Sequence, residues 1–323
     1  MNVETAFDEY QKHVNANAGA VKLARERRDQ FIAGLKGQRG VVEVWLSGSL
    51  RRLTQLDPVH DVDLVLEFDR AVYPDWGLSG PSAGEAVALA KSWVKEQLGN
   101  PGGTYVELVR RADERNRAVK CFIDDPEDPK SFTVDVMPAL RQANGILLIP
   151  SVDDSTWIEA NPQHLIKAVA DRQEAWNYTV PLIRVIKDWR YQVTGGAEIE
   201  SLLMEVLALE CLPAGPTRPL ALSTFFTRAA VRVNQPVEDP AGLCGPIQPD
   251  LDVTALREAL EKADDLAAGA VSMEANGDCD RALRLWGEVF GSSFPVPEPS
   301  SQRPKIGVPA LILPGVVRDS PQG

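Results

Sequence analysis

Residues 41–68 read VVEVWLSGSLRRLTQLDPVHDVDLVLEF, and this stretch decides the fold. Residues 41–47 read as a strand that runs into a Gly48-Ser49 turn. A loop follows, then a second strand over 61–68 carrying Asp61 and Asp63. Side chains at i and i+2 of a strand share a face, so the two acids aim at one spot. Two hard anionic oxygen donors there suit Mg²⁺. A glycine turn with a hydroxyl beside it offers a place for phosphate. Taken alone, Gly-Ser after a strand is an ordinary turn. Joined to the acids, it points to a site for a nucleoside triphosphate.

A third acid sits in the segment FTVDVMPAL. Alternation sets Asp135 opposite Val134 and Val136, on the face with Thr133 and Met137. A lone aspartate in an apolar strand is disfavoured by propensity and by desolvation. Either it faces solvent at the strand end, or a metal ion or a proton-transfer role offsets the cost. Its company with Asp61 and Asp63 favours the second.

Outward from these strands, residues 3–37 have helical spacing, ended by Gly37 and Gly40. Residues 84–98 form a second helical stretch. TYVELVRR (104–111) and AVKCFID (118–124) read as a hairpin across ADERNR, before the strand with Asp135. The second half suits helices at 162–177, 179–193, 197–211, 218–234, 252–271 and 276–290. The end of the chain is rich in Pro, Gly and Ser and reads as a loosely held tail.

The 323 residues are 44 % hydrophobic and 25 % charged, ordinary globular usage. No apolar run is long enough for a membrane span, and the N-terminus lacks a signal-peptide core. Cys121, Cys211, Cys244 and Cys279 are scattered without a CxxC, which fits a reducing cytoplasm and argues against structural zinc. The net charge of −12 argues against a nucleic-acid polymer as the main partner.

Gly48-Ser49, Asp61-x-Asp63 and Asp135 in its VDVMPA context together resemble the DNA polymerase β-like nucleotidyltransferase superfamily. Within it the chain is most similar to the cGAS/DncV-like enzymes (CD-NTases) of bacterial anti-phage systems (CBASS). LIRVIKDWR (182–190) resembles the family helix with a phosphate-binding lysine, here Lys187. AEIESLLMEVLALE (197–210) resembles its next helix, whose serine, here Ser201, touches the donor triphosphate. RALRLWGEVFGSSFP (281–295) resembles its closing helix.

The resemblance implies an α+β fold: a mixed-sheet nucleotidyltransferase core plus a C-terminal helical domain, two lobes around a cleft. Residues 1–38 would be an N-terminal helix bridging the lobes and 39–150 the core. Residues 151–295 would form the oligoadenylate-synthase-like helical domain, and 296–323 a flexible tail. It also implies a synthase that joins NTPs, ATP among them, into a cyclic di- or trinucleotide messenger with loss of pyrophosphate. Asp61, Asp63 and Asp135 would hold two Mg²⁺ ions, with Mn²⁺ as the alternative ion. Gly48, Ser49, Lys187 and Ser201 would bind phosphates. A downstream effector would be reached through the product. The tail PSSQRPKIGVPALILPGVVRDSPQG, whose last residue is Gly323, is compatible with an E1/E2-like or other regulatory partner acting on it, and its VPALIL segment is equally compatible with docking on the body.

Plainer readings stand beside these. Arg184 and Asp188 are spaced as an i,i+4 pair, which would leave Lys187 on a solvated helix face. Serine also caps helix starts. An RNA-tailing, oligoadenylate or toxin-type transferase shares the same acids, and a nucleotide-binding regulator would keep the fold while losing one.

Overall fold

The computed structural model describes residues 1–105, 107–128 and 130–297. The expectations for the tail, conjugation at Gly323 included, fall largely on 298–323, outside the described residues.

Seven strands form one open, mixed sheet: β1 (Val41–Leu46), β2 (Asp61–Phe68), β3 (Arg111–Glu114), β4 (Val119–Phe122), β5 (Thr133–Arg141), β6 (Leu147–Ser151) and β7 (Thr156–Ala160). The order is β1-β2-β5-β4-β3, and β6 joins the far end of β5 and carries β7. Strands β2 and β5 are parallel over their whole paired length; the other pairs are antiparallel. One sheet face is apolar. Val62, Leu64, Leu66, Val134, Val136 and Leu140 are buried there among residues of the helices α2 (Ala18–Leu35) and α4 (Ser82–Val94). The other face carries the acids.

The helical half consists of α5 (Pro162–Ala175), α6 (Thr179–Trp189), α7 (Ser201–Cys211), α8 (Arg218–Arg232), α9 (Val253–Ala275) and α10 (Cys279–Phe290). Its core is aromatic: Phe225, Phe226, Trp189, Trp286 and Phe290 are fully or almost fully buried. Helix α1 (Val3–Val14) belongs to this core, giving it Phe7 and Tyr10. Phe7 packs edge-on to Trp286, with ring centroids 5.2 Å apart, a favourable aromatic geometry.

Two expectations of local structure are corrected. Residues 3–37 are two helices with different loyalties, since α2 packs on the sheet and α1 on the helical half. The break falls where Asn17 caps α2, its side chain accepting from the backbone N–H groups of Gly19 and Ala20. The hairpin is displaced as well. β3 starts at Arg111, so the strand lies in the segment read as the turn, with Asp113 opposite Lys120. The residues described within 104–110 are bends, a turn and irregular backbone, none of it strand, and a wider π-helical turn at Lys95–Gly99 leads into them. Leu108 and Val109 there are anchored by burial in the apolar layer beneath the sheet, not by a strand partner. Sheet structure also runs beyond residue 150, to Ala160.

Candidate active site

The pleat and the register assemble the acids. Asp63 lies directly beside Asp135 in the parallel β2–β5 pair, and Asp61 beside Thr133. Neighbouring strands are about 4.8 Å apart, so Asp63 and Asp135 are next-door carboxylates on one face. Asp61 is exposed at the strand start; Asp63 and Asp135 are half-buried. Burial, then the charges of Asp61 and Asp135, push the Asp63 carboxyl up to about 7, against the pull of Arg52 and Lys187. Burial likewise raises Asp135, opposed first by Lys120. Asp135 Oδ1 is buried without a hydrogen-bond partner.

Between β1 and β2 the chain makes the short helix α3 (Gly48–Arg52), so Gly48-Ser49 is the start of a helical turn. Gly48 has φ +63°, and a Cβ on it would stand 1.6 Å from Asp63 Oδ2. Only glycine lets the backbone pass this close to the acid.

Two cavities meet over this face. One, of about 310 Å³, is lined by Ser49, Asp61, Lys187 and Ser201, with Gln55 and Tyr191. The other, of about 550 Å³, is lined by Asp135, Arg115 and Phe122. Lys120, Ser131 and Thr133 line both. Gly48 and Asp63 pack against each other beside them. All seven sequence-predicted residues thus fall in one neighbourhood. A larger groove of about 1290 Å³, lined by residues of α2, β1, α3 and α5, holds none of them.

Lys187 is not on a solvated face. It is 3 % exposed; its ammonium donates to the Thr54 carbonyl at 2.7 Å and stands 3.6 Å from Glu205. Burial draws its pKa down, opposed chiefly by Glu205. Arg184 and Asp188 do not pair: Arg184 donates to the Leu53 carbonyl and to Asn15, while Asp188 accepts from Tyr10 at 2.7 Å.

Glu205 was not singled out from sequence, yet it ties the site together. It is fully buried and accepts from Arg52 Nε at 2.6 Å and from the Thr54 hydroxyl at 2.9 Å. Burial favours its protonated form, but Arg52 and Lys187 outweigh that and hold its pKa low. The signal was available. Glu205 is an acid inside the apolar run SLLMEVLAL, four residues after Ser201 and therefore on the same helix face.

Among the described residues, no three His, Cys, Asp or Glu side chains converge as a ready-made metal cage. Mg²⁺ does not need such a cage, because it takes one or two carboxylates and completes its shell with water and substrate phosphates. An orphaned Asp135 oxygen and an Asp63 carboxyl pushed up to about 7 by burial and the neighbouring acids both fit a divalent ion.

The model of the Second Messenger Oligonucleotide or Dinucleotide Synthetase domain matches residues 1–173. A cyclic AMP-AMP-GMP synthase of Enterobacter hormaechei is 24 % identical over 306 residues, covering 84 % of this chain and 79 % of its own. The structure of E. coli CdnC with ATP superposes with a TM-score of 0.65 at 17 % identity, over 91 % of this chain and 99 % of that one. GTP-bound DncV of Vibrio cholerae gives 0.55 at 14 % identity, over 90 % and 85 %. The structural likenesses share the mixed sheet and the helical half. The chain belongs to the Second Messenger Oligonucleotide or Dinucleotide Synthetase family, the cGAS/DncV-like nucleotidyltransferases, and is an enzyme of that kind.

Proposed function

We propose that the protein joins nucleoside triphosphates, ATP among them, into a cyclic oligonucleotide that serves as a second messenger in antiviral defence. The observation that carries this reading is the paired cavity. Two small chambers meet at the acids, one beside Ser49, Lys187 and Ser201 and the other beside Asp135. That arrangement suits two mononucleotides meeting at one reactive centre.

In this reading the donor triphosphate lies against α3 and α7. The Ser49 and Ser201 hydroxyls donate to phosphate oxygens, and Lys187 supplies charge. Tyr191, 53 % exposed and on the cavity wall, offers a ring for the base. The acceptor hydroxyl sits in the second chamber, beside Asp135. Its oxygen bonds to the donor α-phosphorus, the bond from that phosphorus to pyrophosphate breaks, and Asp135 takes the hydroxyl proton. The same event repeated within the linear product closes the ring. Asp61 and Asp63 would hold a divalent cation and share a second with Asp135, which would supply positive charge at the attacking and departing oxygens. The relative named a cyclic AMP-AMP-GMP synthase supports the product class.

The test is incubation with mixed NTPs and Mg²⁺, reading pyrophosphate and the mass of the product. A cyclic product that disappears in Asp61→Asn/Asp63→Asn is expected. Pyrophosphate release that survives the double substitution overturns the assignment.

A further inference from the structure

Ser201 stands on the cavity wall, but its own helix does little to fix it there. It is the first residue of α7. Glu200 before it is extended, at φ −61° and ψ 131°, and its side chain makes no capping hydrogen bond. A cap within the chain normally steadies such a start. Here the brace comes from elsewhere. Gln248, in the connection between α8 and α9, accepts from the Glu200 N–H at 2.7 Å and donates to the Glu198 carbonyl at 2.8 Å. Both ends of one planar amide are spent on backbone groups either side of Ile199. The Ile199 side chain is buried in the helical core, and its carbonyl accepts from Arg190 at 3.1 Å. The backbone leading into Ser201 is therefore held from outside at Glu198, Ile199 and Glu200.

The backbone of Gln248 is a second, independent sign. Its φ is +52°, in the left-handed region that glycine occupies readily and other residues seldom do. Residues with side chains persist there only where their surroundings over-determine them, and such positions cluster at functional sites. Glycine at 248 would relax the backbone and lose the amide. Gln248 is half-buried while Glu198 and Glu200 are exposed, so water competes for both hydrogen bonds and they add little to folding. What they fix is the place of the serine.

We propose that Gln248 is a positioning residue: by clamping residues 198–200 it sets the Ser201 hydroxyl against the donor triphosphate. This rests on the nucleotidyl-transfer reading, in which Ser201 binds phosphate, and adds what holds that serine. The rival role is purely structural. Gln248 also lines a separate, mostly apolar cavity of about 270 Å³ with Leu203, Val237, Ile247 and Leu256, and in that role it only shapes the connection between the helices.

A double-mutant cycle on the full chain separates the two. Non-hydrolysable analogues of the four NTPs are titrated with Mg²⁺, and the tightest is carried through wild type, Gln248→Ala, Ser201→Ala and the double variant, with a thermal melt of each. Gln248→Ala should weaken the analogue about fivefold or more while its Tm moves by under about 2 °C. Ser201→Ala/Gln248→Ala should bind within about twofold of Ser201→Ala alone, because the clamp acts through the serine. In turnover the loss should fall on KM, with kcat kept within about twofold, since the serine touches the phosphates before and during transfer. Gln248→Ala that binds as wild type does, two substitutions whose effects simply multiply, or a loss confined to kcat overturns the proposal. The product is read separately. A wild-type chain that binds the analogue yet makes no cyclic product contradicts the proposed function, and the binding cycle alone then decides the clamp. A wild-type chain that binds no analogue overturns both.

Discussion

At the scale of the residue, Asp63 shows what burial beside two other acids does to a carboxyl group. Its folded-state pKa of about 7 lies above the ordinary carboxylate value, so the folded carboxyl keeps its proton where the unfolded chain has lost it. The stability tied to that proton is complete below about pH 4 and is lost as pH rises through about 7. Asparagine cannot ionise and escapes the loss. In chelator, Asp63→Asn should melt close to wild type near pH 4 and several degrees above it at pH 8. Excess Mg²⁺ should close the gap by giving the wild-type carboxylate a counter-charge. Thermal melts across pH with and without Mg²⁺ check this, and a pH-independent difference would refute it. The aspartates were legible from sequence because a charged residue in an apolar strand has few explanations. Gly48 was legible as a turn, but not as the residue whose missing side chain makes room for Asp63 Oδ2. That requirement exists only once β1 and β2 are paired.

At the scale of the element, α3, α6 and α7 are held by charge rather than by apolar contact alone. Arg52 and Lys187 reach Glu205 from different elements, and the flanking Thr54 gives Lys187 its carbonyl and Glu205 its hydroxyl. Breaking a buried pair from one side leaves uncompensated charge, typically at a cost of about 3–5 kcal/mol. Glu205→Ala should therefore lower the unfolding free energy by about that amount, read from urea denaturation. Glu205→Ala/Arg52→Gln, with one stranded cation fewer, should recover part of it. A loss under about 1 kcal/mol would mean that water enters and solvates the cations. The helix periods were readable because their apolar faces repeat, and most of the six C-terminal helices lie within a few residues of their expected bounds. The hairpin was misplaced because TYVELVRR has strand-like composition, yet Leu108 and Val109 are satisfied by burial under the sheet without a ladder. Arg184 and Asp188 misled for a related reason. Spacing gives neighbours on one helix, but their partners Leu53, Asn15 and Tyr10 come from elsewhere in the chain.

At the scale of the whole molecule, the charge is divided. The chain carries a net −12, and its two chambers set the cations Lys120, Lys187, Arg115 and Arg190 among the acids Asp57, Asp61, Glu127, Asp128 and Asp135. A small triphosphate needs only those local cations. A polymer must also lay many phosphates along the outer surface, where an acidic protein repels them and where neutralised phosphates supply most of the affinity. This division separates a synthase of small cyclic products from an RNA-tailing or toxin-type transferase, which the three aspartates cannot do, since both chemistries use them. At an ionic strength of about 0.15 M, where screening reaches about 8 Å, tRNA or a single-stranded RNA oligomer should alter NTP turnover by less than about twofold. Labelled RNA should gain no added nucleotides. Lowering the salt should not reveal the steep rise in RNA affinity that a phosphate-tracking surface produces. Extension of the labelled strand, or a steep salt dependence of its binding, would assign the second chamber to a strand end instead of a free nucleotide.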